Sequence, residues 1–122
     1  MPMTTSSPGV TGDHTTNGRP NYYTSLTPFI AVTGAREALD FYRDIFGAEV
    51  IDVTEMNGQV VHAELGFDSG RLQLGEATPD YGLVPQSSTD DACFSFSLYT
   101  PDVDALVDRA VSAGATPREP VA

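Results

Sequence analysis

The sequence predicts an α+β domain: a βαβββ module followed by a partial second module, β-α, with a mixed sheet carrying its helices on one face. Three observations lead there. A helix-period run follows a short apolar strand, an Asn-Gly pair separates two strand-like runs, and a strand-helix order recurs 67 positions further along the chain.

The elements follow in order. Residues 1–24, opening "MPMTTSSPGV", are rich in Thr, Ser, Gly and Pro and offer little to bury, so they read as a disordered tail in which His14 is incidental. Residues 25–76 form the complete module. "LTPFIAV" is its first strand, and "GAREALDFYRDIFG" its helix: Ala38, Leu39, Tyr42, Ile45 and Phe46 recur at intervals of three and four, with Gly47 as the stop. "AEVIDVTEM" and "QVVHAELGF" flank Asn57-Gly58, a two-residue hairpin signal. "RLQLGE" alternates Leu72 and Leu74 with Arg71 and Gln73 and is the last strand. Residues 77–91 are a linker by composition, with Tyr81 an exposed connector residue or a lid over a cleft.

Residues 92–122 begin the second module. "CFSFSLY" alternates Phe94, Phe96 and Leu98 with Ser95, Ser97 and Tyr99, predicting a strand whose apolar side faces a helix. "TPDVDALVDRAVSAG" predicts that helix, with Thr100 as N-cap, Pro101 in the first turn, and Val103, Leu106, Val107, Ala110 and Val111 as the buried stripe. Phe29, Thr33, Ala38, Leu39, Gly47 and Ala48 fall on Phe96, Thr100, Ala105, Leu106, Gly114 and Ala115, which is the repeat.

Composition narrows the function. A formal net charge of −11 with six Lys+Arg argues against nucleic-acid binding, which needs a basic surface. The same charge attracts cationic small molecules, or merely keeps the protein in solution. Cys93 is the only cysteine, so no disulfide forms within the chain, as suits a reducing cytoplasm. No stretch approaches the roughly 20 apolar residues that span a bilayer. A cytoplasmic protein without nucleic-acid or membrane partners is expected.

His62 and Glu64, two apart in a predicted strand, leave the same face. Alternation puts Val61, Ala63, Leu65 and Phe67 on the helix side and leaves this pair facing a cleft or solvent. Glu64 then orients His62, or both contact a ligand; a metal pair needs further ligands, and no third histidine is present. A histidine beside a carboxylate can move a proton near neutrality, but no nucleophile accompanies it. Phe29, Arg71, Gln73, Ser95, Ser97 and Tyr99 complete the cleft candidates, aromatic rings beside a few hydrogen-bonding groups. Phe29 and Tyr99 serve equally well as core or contact residues, and Arg71 as a counter-charge.

"TPFIAVTGAREALDFYRDIFGAEV", "HAEL" and "DVDALVDRAVSAGA" resemble the vicinal oxygen chelate superfamily of glyoxalases, bleomycin-resistance proteins and extradiol dioxygenases, in its glyoxalase-like, bleomycin-resistance-like branch. The resemblance implies two modules enclosing a cleft, and, in metal-dependent members, His or Glu ligands at four strand positions. Those positions carry Thr27, Gln73 and Ser95 here (Phe94 by the repeat offset), and the fourth lies in a strand that the chain lacks. A neutral amide with two hydroxyls makes a weak site, so no metal or other cofactor is expected. The resemblance therefore implies a metal-free protein that binds or sequesters a small molecule, such as a cationic drug. Its alternatives are a metal-dependent lyase, isomerase or dioxygenase holding a divalent metal through other ligands, and a non-catalytic regulatory or assembly domain.

One strand beside a stripe-bearing helix is a marginal unit. The sequence is thus expected to be a fragment of a longer protein, because "GATPREPVA" carries no stop feature, or to have its cleft completed by a second chain. A homodimer is expected either way.

Overall fold

In a computed structural model of the protein, the described residues are 14–21, 23–86 and 92–117. In chain order the elements are β1 (Thr15–Thr16), β2 (Arg19–Pro20), β3 (Phe29–Val32), α1 (Ala35–Phe46), β4 (Glu49–Met56), β5 (Gln59–Gly66), β6 (Arg71–Glu76), a 3-10 turn at Pro79–Tyr81, and α2 (Val103–Ser112). Asn57 and Gly58 have φ of 54° and 78°, the positive pair with which a two-residue hairpin matches strand twist, and they join β4 to β5. Strands β4, β5 and β6 form an antiparallel meander, and β6 also pairs in parallel with β3, so the sheet order is β3-β6-β5-β4. Helix α1 carries the chain from one sheet edge to the other. This is the βαβββ module.

The core lies between the sheet and α1. Ala35, Leu39, Ala48, Val60, Ala63, Leu65, Leu72 and Leu74 form it, with Ala38, Tyr42 and Phe67 packed against it. Leu65 and Leu74 are fully buried, each contributing about 1.5–3 kcal/mol of transfer free energy. The start of α1 is held from the far end of the module: the Glu76 carboxylate accepts from Gly34 N at 2.9 Å and Ala35 N at 3.0 Å. Those are two of the four amide donors that a helix leaves unpaired at its N-terminus.

Two irregularities decide which side chains share a face. Pairing shifts register between Val50 and Asp52 and again between Thr54 and Glu55, and the second shift leaves Val61 without a partner across β4. A bulge of this kind inverts alternation on one side of itself. Val60 therefore joins Ala63 and Leu65 in the core, and Val61 is only half-buried, correcting the expected stripe.

The expected second module is realised only in its helix. Residues 92–100 form no strand, and Phe94, Phe96 and Leu98 are exposed instead of facing a helix, because no neighbouring strand among the described residues gives their backbone a ladder. Helix α2 is capped by Asp102, whose side chain accepts from Ala105 N at 3.0 Å, and not by Thr100. It packs on α1, with Arg109 Nη2 donating to Ile45 O at 3.4 Å. Of its expected stripe, Ala110 is buried, Leu106 and Val107 are half-buried, and Val103 and Val111 are exposed. The repeat still marks both helix ends: Gly47 and Gly114 have φ of 72° and 107°, and Ala48 N and Ala115 N turn back to Tyr42 O and Ala110 O.

Part of the stretch read as a tail carries structure. Thr15–Thr16 and Arg19–Pro20 form a small hairpin through Asn17-Gly18, and the chain then brings Tyr23 onto the sheet. Residues 1–13 and 22 of that reading, 87–91 of the linker, and 118–122 lie outside the described residues. Within the linker, Thr78 and Leu83 bridge around the 3-10 turn, and Tyr81 is 83% exposed, so it covers no cleft. Among the described residues no helix is long and apolar enough to cross a membrane.

Candidate functional site

The sheet face away from α1 gathers the polar side chains that alternation removes from the core. Glu64 stands opposite Gln73 on β6 and Asp52 on β4, and Phe29 on β3 stands opposite Gln73 from the other side. Four adjacent strands thus contribute to one patch.

Glu64 is its centre and is only 8% exposed. Gln73 Nε2 donates to its Oε1 at 2.6 Å, and the Tyr23 hydroxyl donates to its Oε2 at 2.9 Å. A carboxylate this buried needs such donors, since an unpaired buried charge is costly. Burial and the neighbouring Glu64 carboxylate push the Tyr23 phenol above its ordinary range, and Arg71 partly opposes that shift. The Arg71 guanidinium lies over the Tyr23 ring, with Cζ 4.7 Å from its centroid, a cation–π contact. Beside them Phe29 and His62 stack with centroids 5.9 Å apart and planes 23° from parallel.

Two glycines make room for this arrangement. A methyl at Gly75 would overlap the Val61 carbonyl oxygen, turned over it at the bulge, and would lie 3.1 Å from Phe29 Cζ. A methyl at Gly66 would lie 2.7 Å from Arg71 Nη1.

Of the residues singled out in the sequence, Phe29, His62, Glu64, Arg71 and Gln73 come together. Ser97 and Tyr99 do not join them on the sheet. They line a groove of about 830 Å³ between the module and residues 96–101, bordered by Tyr42, Phe46, Phe67 and Arg71. Its lining is mostly apolar and it lacks the buried carboxylate, so the candidate site is the sheet face. Ser95 is exposed in a segment without strand structure, so its expected cleft-facing parity does not apply, and Tyr99 is 93% exposed. Tyr23 is the residue that sequence reasoning missed. It hid in tail-like composition and meets Glu64 across 41 positions.

The donor set does not suit the divalent metal that the fold family implies. Among the described residues no three His, Cys, Asp or Glu side chains converge as a metal set. Gln73 turns its amide nitrogen to Glu64, and Ser95 lies off the sheet.

The chain is similar to several known proteins. An uncharacterized protein of Mycobacterium bovis is 32% identical over 101 residues, covering 79% of this chain and 66% of the relative. An uncharacterized protein of Mycobacterium tuberculosis is also 32% identical over 101 residues, covering 79% of this chain and 59% of the relative. The chain thus spans about three fifths to two thirds of these relatives' length. The crystal structure of TioX from Micromonospora sp. ML1 superimposes with a TM-score of 0.50 at 20% identity, covering 75% of this chain and 71% of that one, a likeness of fold. Residues 13–121 match the profile of the Glyoxalase/Bleomycin resistance protein/Dioxygenase superfamily, and with the βαβββ module in place the chain belongs to that superfamily.

Proposed function

We propose that the protein binds a small molecule on the sheet face around Glu64 without a metal, in the manner of a drug-sequestering member of its superfamily. One observation carries the reading: a buried carboxylate, held by Gln73 and Tyr23, beside the Phe29–His62 stack. A fixed hydrogen-bonding group among aromatic rings is the usual make-up of a ligand site. With Asp52 opposite Glu64 and a formal net charge of −11, the face favours a ligand that presents hydrogen-bond donors or positive charge. Pairing of two copies belongs to the same proposal, supported by exposed Phe94, Phe96 and Leu98 beside the groove.

Titration calorimetry of the chain against a panel of cationic glycopeptide antibiotics tests the reading. Binding with a thermal shift, weakened at least about tenfold in Glu64→Ala by loss of a charge-assisted hydrogen bond, supports it. Neither heat nor shift across the panel overturns it. Stoichiometric Zn, Ni, Mn or Fe in the purified protein, by elemental analysis, instead favours a metal-dependent lyase, isomerase or dioxygenase.

A further inference from the structure

The Tyr23 phenol is placed on Glu64 much as a guest would be. It arrives from a segment outside the module, and its hydroxyl donates to Oε2 while Arg71 covers its ring. Its backbone bond is local, from Tyr23 N to Pro20 O at 3.1 Å, and on its far side Leu26 is 81% exposed. The other groups of the face belong to the sheet. Gln73 holds Oε1 through its own strand pairing, independently of Tyr23, so Oε2 stays aimed at the same place when the phenol leaves.

We infer that Tyr23 is an internal stand-in for the ligand: the face takes an aromatic ring bearing a hydroxyl donor, seated between Glu64 and Arg71 after the Tyr23 segment withdraws. This rests on the binding reading above and narrows it to a ligand class. The physical ground is an asymmetry. A ring seated on Glu64 in place of Tyr23 excludes water, and without a donor of its own it leaves one oxygen of a buried carboxylate unpaired, which is costly. A guest with a hydroxyl restores the bond, whereas a ring of the same shape without a donor leaves the cost standing. Sites built to pair a hydroxyl discriminate strongly against analogues that lack it. The guest also competes with a tethered phenol, so removing the tethered one strengthens binding.

The probes are 4-methylphenol and 4-methylanisole, which share a ring but not the donor. Each is titrated into the wild-type chain and Tyr23→Ala while the backbone amides of His62, Glu64 and Gln73 are followed by NMR. The expected result is saturable binding of 4-methylphenol to Tyr23→Ala, at least about tenfold tighter than to wild type and at least about tenfold tighter than 4-methylanisole. Equal affinity for the two probes, or no saturable shift, overturns the inference. Should Tyr23→Ala prove unfolded by circular dichroism, the wild-type chain decides. Excess 4-methylphenol, but not 4-methylanisole, must then move the Tyr23 ring resonances to those of a solvated tyrosine, and resonances that stay in place overturn the inference. Binding of a cationic ligand at these amides while 4-methylphenol fails sinks the phenol inference alone. Failure of both classes sinks the binding reading as well.

Discussion

Gly75→Ala is the substitution at which fold and site are most tightly joined. An added methyl overlaps the Val61 carbonyl oxygen and lies 3.1 Å from Phe29 Cζ. The first contact is backbone, fixed by the bulge on β5, so no rotamer change relieves it. Either β5 and β6 separate locally or the Val61 peptide turns, and both disturb the end of the ladder next to Ala63 and Leu74. Inserting a methylene-sized group into a well-packed site costs about 1–3 kcal/mol. For a domain of this size each kcal/mol shifts the melting temperature by about 4–8 °C. Thermal unfolding followed by circular dichroism should thus show a drop of about 4–24 °C, and urea unfolding a lower midpoint with an unchanged slope. Displacement of Phe29 from His62 would also alter the ring-current shifts of the His62 protons. A melting temperature within 1 °C of wild type, with the His62 shifts unchanged, would refute the close approach of β5 to Gly75.

Glu76→Ala should cost about 1–3 kcal/mol in urea unfolding, because two amide donors at the start of α1 lose a charged acceptor; Glu76→Gln, which keeps one acceptor oxygen, should recover part of it. Leu65→Ala, at a fully buried core position, should cost about 2–5 kcal/mol in the same assay. The tyrosines offer a pH test. Burial and then Glu64 raise the Tyr23 phenol, and burial raises that of Tyr42, above the ordinary value of 10.0. The stability that Tyr23 contributes is accordingly present in full below the unfolded-state pKa and is lost as pH rises through the higher folded-state value. In a spectrophotometric titration Tyr23 and Tyr42 should ionise late, and Tyr23→Phe should remove one late ioniser. Loss of an ordinary ioniser instead would contradict the burial and pairing of Tyr23.

The module was legible because its signals are local. Asn57-Gly58 permits few turns other than the one it makes, and the spacing of Leu39 and Tyr42 fits only a helix. Legibility failed where a partner decides. The bulge that moves Val60 inward depends on how β4 meets β5, and nothing in "QVVHAEL" records it. The alternation of Phe94 to Leu98 is a strand pattern, but a strand also needs a neighbour, and the described structure supplies none. Asp102 caps α2 in place of Thr100, accepting from Ala105 N three residues on, a choice between two good cappers separated by one residue that composition leaves open. At the site, strand parity brought His62 to the face of Glu64 and Gln73. The pairing of Glu64 with Tyr23 has no periodic signature, being a single contact across 41 positions.

Strand β6 carries the Glu76 clamp on α1 and, three residues earlier, the Gln73 contact with Glu64. It therefore acts as a mechanical link between the face proposed to bind and helix α1. A guest that steadies Gln73 lowers the opening frequency of the whole strand, and with it the release of Glu76 from Gly34 and Ala35. Occupancy should then be readable far from the guest, as slower amide hydrogen exchange at Gly34 and Ala35. A ligand screen can use those two protons as its reporter without knowing in advance what the ligand is.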